Sequence, residues 1–226
     1  MFKNLLRDFP EIKKIDRLWL IVWISIYASF LFLDIFIPDF IGSSVIKYLG
    51  IFLCLIYTYH KFRHDYLLIL ALLFTLLADT VLVWTSYQIA GVFCFCFAQF
   101  FHMTRLTKAQ PSFFIVYFLS VFLVFIFAIT RGIDPIYAVS LIYAASLLTN
   151  LWLSHEWHRS EPKNFRSICA HYGFVLFILC DVCVATEHLI LDGLLPSLAL
   201  PIVSVVIWFF YYPSQVLISN SSTISK

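Results

Sequence analysis

Residues 66–86 read YLLILALLFTLLADTVLVWTS, an apolar run that is interrupted by a single charged residue, Asp79. A transmembrane helix needs about 20 mostly apolar residues to cross the hydrocarbon core of a bilayer, and this run has that length. Similar runs follow one another along the whole chain. The sequence therefore predicts an all-α integral membrane protein, a bundle of about eight transmembrane helices. We place them at 18–37, 41–59, 66–86, 89–104, 113–130, 135–154, 168–188 and 195–216.

The composition supports a membrane protein over other classes. Of the 226 residues, 62% are hydrophobic and only 12% are charged, whereas soluble domains have about 25% charged residues. This excludes a secreted module, a nucleic-acid-binding protein and a disordered tail. We expect one polytopic membrane domain over 1–226, with the bilayer as its surroundings. Because the fourth run is the shortest, an alternative has seven spans and one re-entrant segment.

The basic residues predict the orientation of the helices. With eight spans, both termini and every second loop share one side of the membrane, and thirteen of the 15 Lys and Arg residues fall on that side. Cytoplasmic loops carry an excess of Lys and Arg. We therefore expect residues 1–17 and 217–226 to be cytoplasmic segments. Asp79 and Asp181 each lie in the third span of a four-helix half, which indicates a possible duplication of two four-helix halves.

Asp79 and Asp181 are the strongest candidates for catalysis. Their helices are predicted to run in the same direction, which places both carboxyl groups at nearly the same depth, slightly beyond the midplane. A charge in that position is costly and is usually functional. Two carboxyl groups in one apolar cavity do not both ionise, so one can act as a general acid and the other as a general base. The alternative is that each aspartate is protonated and hydrogen-bonded within the helix packing.

Further polar side chains lie within the predicted spans. Lys47 can hold an anionic lipid group or pair with one of the aspartates; alternatively, it neutralises Asp34 or extends to the membrane surface. Gln99 and His102 lie about one turn apart on the fourth span, so they can line one cavity. An interhelical hydrogen bond is the alternative for each of them.

No metal or cofactor is expected from the cysteine and histidine pattern. Cys180 and Cys183 have a spacing that is found in metal sites, but no second pair accompanies them. His155 and His158 lie in a charged loop without a third ligand in the sequence nearby. We predict neither a metal site nor a cofactor.

Several segments together resemble the YhhN-type membrane proteins, whose characterised members include the lysoplasmalogenases. Residues 72–82, LLFTLLADTVL, resemble the family element LLFSLLGDVLL, and residues 91–102 resemble the span that follows it. Residues 173–185, GFVLFILCDVCVA, are similar to GALLFVLSDSLLA, and residues 211–218, YYPSQVLI, resemble the terminal element. Lys47 resembles the lysine in the family's second span. Order and spacing agree over nearly the whole chain.

This sequence departs from the family pattern at four positions, although both aspartates are retained. Ala78 replaces glycine, Cys180 replaces serine, Gln99 stands in place of histidine and His102 in place of tyrosine. The histidine is thus shifted by about one helical turn. The shift can preserve an imidazole in the same cavity, or it can mark a relative with a different substrate or no activity.

The resemblance implies hydrolysis of the vinyl ether bond of a lysoplasmalogen, a lysophospholipid, without a cofactor. It implies catalytic roles for Asp79 and Asp181 in a bacterial inner membrane. The substrate-binding residues that it implies are Lys47, Gln99, His102, Tyr211, Tyr212 and Gln215. A proton-coupled transporter of a lipid or small molecule is the alternative, because paired acids and a lysine also form proton relays. An intramembrane aspartyl protease is disfavoured, since no Gly-x-Gly-Asp element is present.

Overall fold

The computed structural model describes residues 17–37, 40–85, 87–108, 110–196 and 199–224, and these ranges form eight α-helices without a strand. All eight helices are long and apolar enough to span a membrane, which confirms the predicted fold class. Of the predicted cytoplasmic segment 1–17, residues 1–16 lie outside the described residues. The helices are α1 (Arg17–Phe36), α2 (Ile41–Lys61), α3 (Tyr66–Trp84), α4 (Gln88–Leu106), α5 (Pro111–Arg131), α6 (Pro135–Ser160), α7 (Phe165–Leu191) and α8 (Leu200–Ser219).

Helix α4 tests the seven-span alternative, and helix α8 starts later than predicted. Helix α4 has 19 residues and is one of eight candidate spans in the described ranges, which argues against the seven-span alternative. Helix α8 begins at Leu200 rather than at residue 195. Pro201 lies in its first turn, where a missing N–H costs nothing. Gly193 has a φ of +76°, so the chain turns before this helix begins.

Local sequence signals set several helix ends. The Asp65 side chain accepts a hydrogen bond of 3.1 Å from the Leu68 N–H and caps the start of α3. Asn164 caps α7 in the same way, through a 2.9 Å bond from the Arg166 N–H. Gly132 ends α5 with a left-handed φ of +64°, a conformation that favours glycine.

The helices form two compact units. The terminal unit comprises the described residues of Met1–Cys54 and His158–Ser221, and the central unit comprises those of Leu55–Trp157 and Ser222–Lys226. The terminal unit therefore joins α1 and the first part of α2 to α7 and α8. Asp181 lies in the terminal unit and Asp79 in the central unit.

In the terminal unit, α8 packs against α7 and α1. Gly173 allows a close approach, because a Cβ at this position would lie 2.8 Å from the Ile218 side chain. Close contact at small residues is the usual basis of helix packing in membranes. Pro213 lies inside α8 and cannot bond to the carbonyl of Phe209. The Tyr27 hydroxyl donates to that oxygen at 2.9 Å instead.

In the central unit, α3 packs against α4. A Cβ at Gly91 of α4 would lie 2.4 Å from the Leu82 side chain of α3, so the two helices meet closely near this end. The buried face of α3 runs from the capped end to Asp79 through Leu68, Leu72 and Leu76. This packing holds the first candidate catalytic aspartate in an apolar interior.

Candidate active site

Asp79 lies on the buried face of α3, with 6% of its surface exposed. The residue before it, Ala78, is fully buried, and Thr75 lies one turn away on the same face. The Thr75 hydroxyl donates to the main-chain oxygen of Ala71 at 3.0 Å, so its proton is already used within the helix. Asp79 is therefore a buried carboxyl group with mostly apolar side chains along its own helix.

Asp181 lies on α7 in the terminal unit and is partly buried. The preceding residue, Cys180, is buried, as is Phe177 one turn earlier. The ring of Phe177 contacts that of Tyr211 on α8, with a centroid distance of 5.6 Å. Tyr211, one of the predicted binding tyrosines, thus packs against the helix that carries Asp181. It contacts that helix at Phe177, one turn before the aspartate.

Lys47 is paired with Asp34, which is one of the alternatives that the sequence left open. The Lys47 ammonium lies 2.8 Å from the Asp34 carboxylate, and Ser43 donates a short hydrogen bond to the other carboxylate oxygen. The ammonium also lies 5.0 Å from the ring centre of Trp208 and 5.8 Å from that of Phe30. A cation between aromatic rings gains additional stabilisation. Any anionic group at Lys47 would compete with Asp34.

Gln99 is held by Asn150, a residue of α6. Both side chains are fully buried in the central unit. The Asn150 amide nitrogen donates to the main-chain oxygen of Gln99 at 2.9 Å and to its side-chain oxygen at 2.8 Å. Because a main-chain oxygen can only accept, this contact fixes the orientation of both amides. Gln99 therefore forms an interhelical hydrogen bond through its oxygens, while its side-chain nitrogen has no hydrogen-bond partner within the described ranges.

His102 lies in a buried cluster at the end of α4. Its Nδ1 atom is 3.4 Å from an Arg105 guanidinium nitrogen, and both residues are buried. The carboxylate of Asp65, which is only 2% exposed, interacts electrostatically with the Arg105 guanidinium. Asp65 also accepts hydrogen bonds from the Ser222 hydroxyl at 2.9 Å and the Thr223 N–H at 3.0 Å. The predicted tail 217–226 is thus partly helix and partly docked on Asp65.

Tyr211, Tyr212 and Gln215 lie together on the buried face of α8. Tyr212 stacks on Tyr27 with a centroid distance of 5.9 Å and an interplanar angle of 12°. Within the described ranges, neither the Tyr212 hydroxyl nor either amide atom of Gln215 has a hydrogen-bond partner. Buried polar atoms without partners cost about 1–3 kcal/mol each. These atoms are therefore suited to bind a polar ligand or water.

Three residues of these buried contacts were not predicted from the sequence, namely Asp65, Arg105 and Asn150. Asp65 directly precedes an apolar run, which is a signal for a helix cap. Asn150 is a polar residue within a predicted span, so the criterion that selected Gln99 also applied to it. Arg105 directly follows the predicted span 89–104, but it lies inside α4 and is 3% exposed. Among the described residues, no group of three His, Cys, Asp or Glu side chains could hold a metal ion.

Each unit contains one candidate aspartate and a set of buried polar side chains. In the central unit, Asp79 is buried, as are Gln99, Asn150 and His102. In the terminal unit, Asp181 shares a helix pair with Tyr211 and Gln215. A carboxyl group in an apolar interior can donate a proton when neutral and can stabilise a cation when ionised. Both proton donation and cation stabilisation are steps of acid-catalysed reactions.

Comparison with known proteins identifies the family. The sequence model of the YhhN family matches residues 42–222, most of the chain and all helices except α1. No curated protein and no solved structure matches the chain. The matched region contains both candidate aspartates and all the predicted binding residues. The chain therefore belongs to the YhhN family.

Proposed function

We propose that this protein is a membrane hydrolase that cleaves the vinyl ether bond of lysoplasmalogens. The products are a fatty aldehyde and glycerophospho-ethanolamine or glycerophospho-choline. The observation that carries this proposal is the buried carboxyl group of Asp79 in a chain of the YhhN family. A bacterial inner membrane, with both chain termini in the cytoplasm, is part of the proposal.

The reaction needs one proton donor, one proton acceptor and water. One carboxylic acid donates its proton to the β-carbon of the vinyl ether, which gives an oxocarbenium ion. Water adds to this cation while the second carboxylate accepts a proton from the water. The resulting hemiacetal then breaks its carbon–oxygen bond to the glycerol, and the proton moves to the departing oxygen. The two aspartates form the acid and base pair in this scheme, without an assignment of which is which.

An apolar site favours this chemistry. An ionised carboxylate that lies away from water stabilises a nearby cation strongly. Asp79 meets this condition because it lies on the buried face of α3. No covalent intermediate is needed, since water captures the cation directly.

The remaining residues supply binding in this proposal. Gln215 and Tyr212 offer buried polar atoms for the substrate's glycerol hydroxyl groups or for water. Tyr211 packs against α7, which carries Asp181, and His102 completes the polar interior of the central unit. Lys47 attracts the substrate phosphate only in part, because Asp34 already neutralises it. Gln99 orients a polar group through its remaining amide N–H groups.

The test is aldehyde release by the purified full-length protein in detergent. The substrate is a lysoplasmalogen with a choline head group, and the matched control is the saturated 1-alkyl lysolipid, which has no double bond to protonate. We expect aldehyde from the first lipid alone. In D2O, protonation at carbon predicts one deuterium at the carbon next to the aldehyde group, provided that the product is trapped quickly.

Two results would contradict the proposal. One is a stable lysoplasmalogen in the presence of folded protein. The other is aldehyde without solvent deuterium, which would exclude proton transfer to the β-carbon. The first result would favour the proton-coupled transporter, which retains the aspartates but has no chemical product.

A further inference from the structure

Two neighbouring cavities open between helices of the central unit. The first, about 210 Å³, has an aromatic wall that includes Phe93, Phe97, Phe100 and Phe118. The second, about 240 Å³, lies between α5 and α6. Tyr117, Val121 and Ile142 belong to the walls of both cavities, so the two spaces adjoin.

The second cavity carries four hydroxyl groups whose protons are already used. Ser120, Ser146 and Thr149 donate to main-chain oxygens four residues earlier in their own helices, at 2.7–2.8 Å. The oxygens of Tyr117 and Ser146 are 3.1 Å apart. Since the single proton of Ser146 is bound to the main chain, Tyr117 is the donor in that contact. The wall therefore offers oxygen acceptors and no free donor.

A wall of acceptors selects the chemistry of its ligand. A hydroxyl group can donate to these oxygens, whereas a phosphate, an ester carbonyl or an ether oxygen cannot. Turning a serine or threonine proton towards such a ligand only exchanges its hydrogen bond to the helix for one to the ligand, whereas a donor ligand adds a new hydrogen bond. The second cavity thus suits a group that brings its own proton.

The first cavity suits a hydrocarbon chain. Its walls belong to three helices that are long and apolar enough to span a membrane, so lipid chains rather than water surround them. An apolar cavity of about 150 Å³ in another protein is known to hold a benzene molecule. The space here, about 210 Å³, is large enough for a segment of an alkyl chain.

We propose that the two cavities form one binding site for a single-chain lipid with a free hydroxyl group. The hydrocarbon chain lies in the aromatic cavity. The hydroxyl donates to the oxygen wall, which is formed by the hydroxyl oxygens of Tyr117, Ser120, Ser146 and Thr149 in the second cavity. Tyr117, Ser146 and Val121 are the residues that determine specificity. A lysolipid fits this description, whereas a diacyl lipid presents an ester at the same carbon. The site goes beyond the proposed hydrolase function, because it concerns binding and does not require cleavage.

The experiment measures photolabelling of the full chain in lipid nanodiscs. The probe is a 1-acyl lysophosphatidylcholine with a diazirine in its acyl chain, which has no vinyl ether bond to cleave. A matched probe carries a methoxy group in place of the free hydroxyl and therefore cannot donate. We expect labelled peptides from α4, α5 and α6. The hydroxyl probe should label about fivefold to tenfold more than the methoxy probe at equal concentration, the effect of one hydrogen bond.

Variants locate the site. Val121→Trp fills both cavities and should abolish most of the labelling. Leu119→Trp is the matched control, because Leu119 lies on the same helix, is 54% exposed and lines neither cavity. Tyr117→Phe removes an acceptor, so the difference between the two probes should shrink while chain labelling persists.

Three outcomes would overturn the proposal. Equal labelling by the two probes would refute the role of the oxygen wall. Labelling spread evenly over the outward faces of all helices would mean that only bulk lipid is detected. An equal loss in Leu119→Trp and Val121→Trp would show that bulk, rather than the cavity, determines the signal. Since the probe is not cleavable, none of these results bears on the hydrolase function.

Discussion

The hydroxyl group of Tyr27 donates to the main-chain oxygen of Phe209, four residues before Pro213. In an uninterrupted helix, the N–H of residue 213 would bond to that oxygen. Proline has no N–H, so a side chain from α1 supplies the missing donor. The proline inside α8 thus creates an attachment point for another helix, and the same tyrosine stacks on Tyr212.

Tyr27→Phe should therefore lower the free energy of unfolding by about 1 kcal/mol, the usual contribution of one hydrogen bond. The ring contacts remain in this variant. In a Pro213→Ala background, the new main-chain N–H can satisfy the oxygen of Phe209, and Tyr27→Phe should cost clearly less. A double-mutant cycle in detergent measures this coupling. Equal costs in both backgrounds would mean that Tyr27 does not compensate for the proline.

Asp34→Asn should destabilise the protein because it leaves the Lys47 ammonium without its counterion inside a membrane helix. Loss of one partner of a buried pair costs about 3–5 kcal/mol. The double variant Asp34→Asn with Lys47→Met should regain much of that loss. Unfolding by a denaturing detergent measures both. If the double variant is no more stable than Asp34→Asn, the aromatic rings of Trp208 and Phe30 hold the lysine without Asp34.

Asn150→Leu should cost about 1–3 kcal/mol of stability, because it leaves the buried side-chain oxygen of Gln99 without its donor. Removing both polar groups in Gln99→Leu with Asn150→Leu should cost less than the sum of the two single changes. The measurement is again unfolding in detergent. Additive costs would indicate that the two amides act independently of each other.

Asp65→Asn should release the carboxyl-terminal segment. The asparagine side chain has one acceptor instead of two, so the cap of α3 and the bonds from Ser222 and Thr223 compete for it. We expect hydrogen exchange at the Thr223 amide to rise about tenfold to hundredfold, as loss of a bond to a charged group predicts. Glu161→Gln, which changes a carboxylate on an exposed loop, should leave that exchange unchanged. Unchanged exchange in Asp65→Asn would contradict the docking.

The sequence predicted the helices well because the thickness of the bilayer sets their length. Predicted spans and observed helices agree closely for α1, α2 and α3. The predicted start of α8, residue 195, was wrong because residues 195–199 are about as apolar as the helix that follows. Hydropathy does not detect the turn at Gly193 or the preference for Pro201 in a first helical turn.

The pairing of polar side chains was not predictable in the same way. Asn150 and Gln99 are 51 residues apart, and Asp65 and Ser222 are 157 apart. Such partners depend on which helix faces meet, and a single sequence does not contain this information. The pairing of Lys47 with Asp34 was one of four roles that its position in the second span allowed. Asp79 and Asp181 are candidates because a charge in lipid is costly, and their roles stay a prediction.

The rate of aldehyde release in Asp79→Asn and Asp181→Asn tests the two-aspartate mechanism most directly. Asp134→Asn is the matched control, because Asp134 is an exposed loop residue and asparagine preserves its hydrogen bond to the Ile136 N–H. All three variants should fold, as judged by their unfolding in detergent. General acid–base catalysis typically contributes about 10²–10⁴-fold. We predict a loss of at least about 100-fold in each of the first two variants and wild-type release in the third; wild-type release by folded Asp79→Asn or Asp181→Asn would contradict the mechanism.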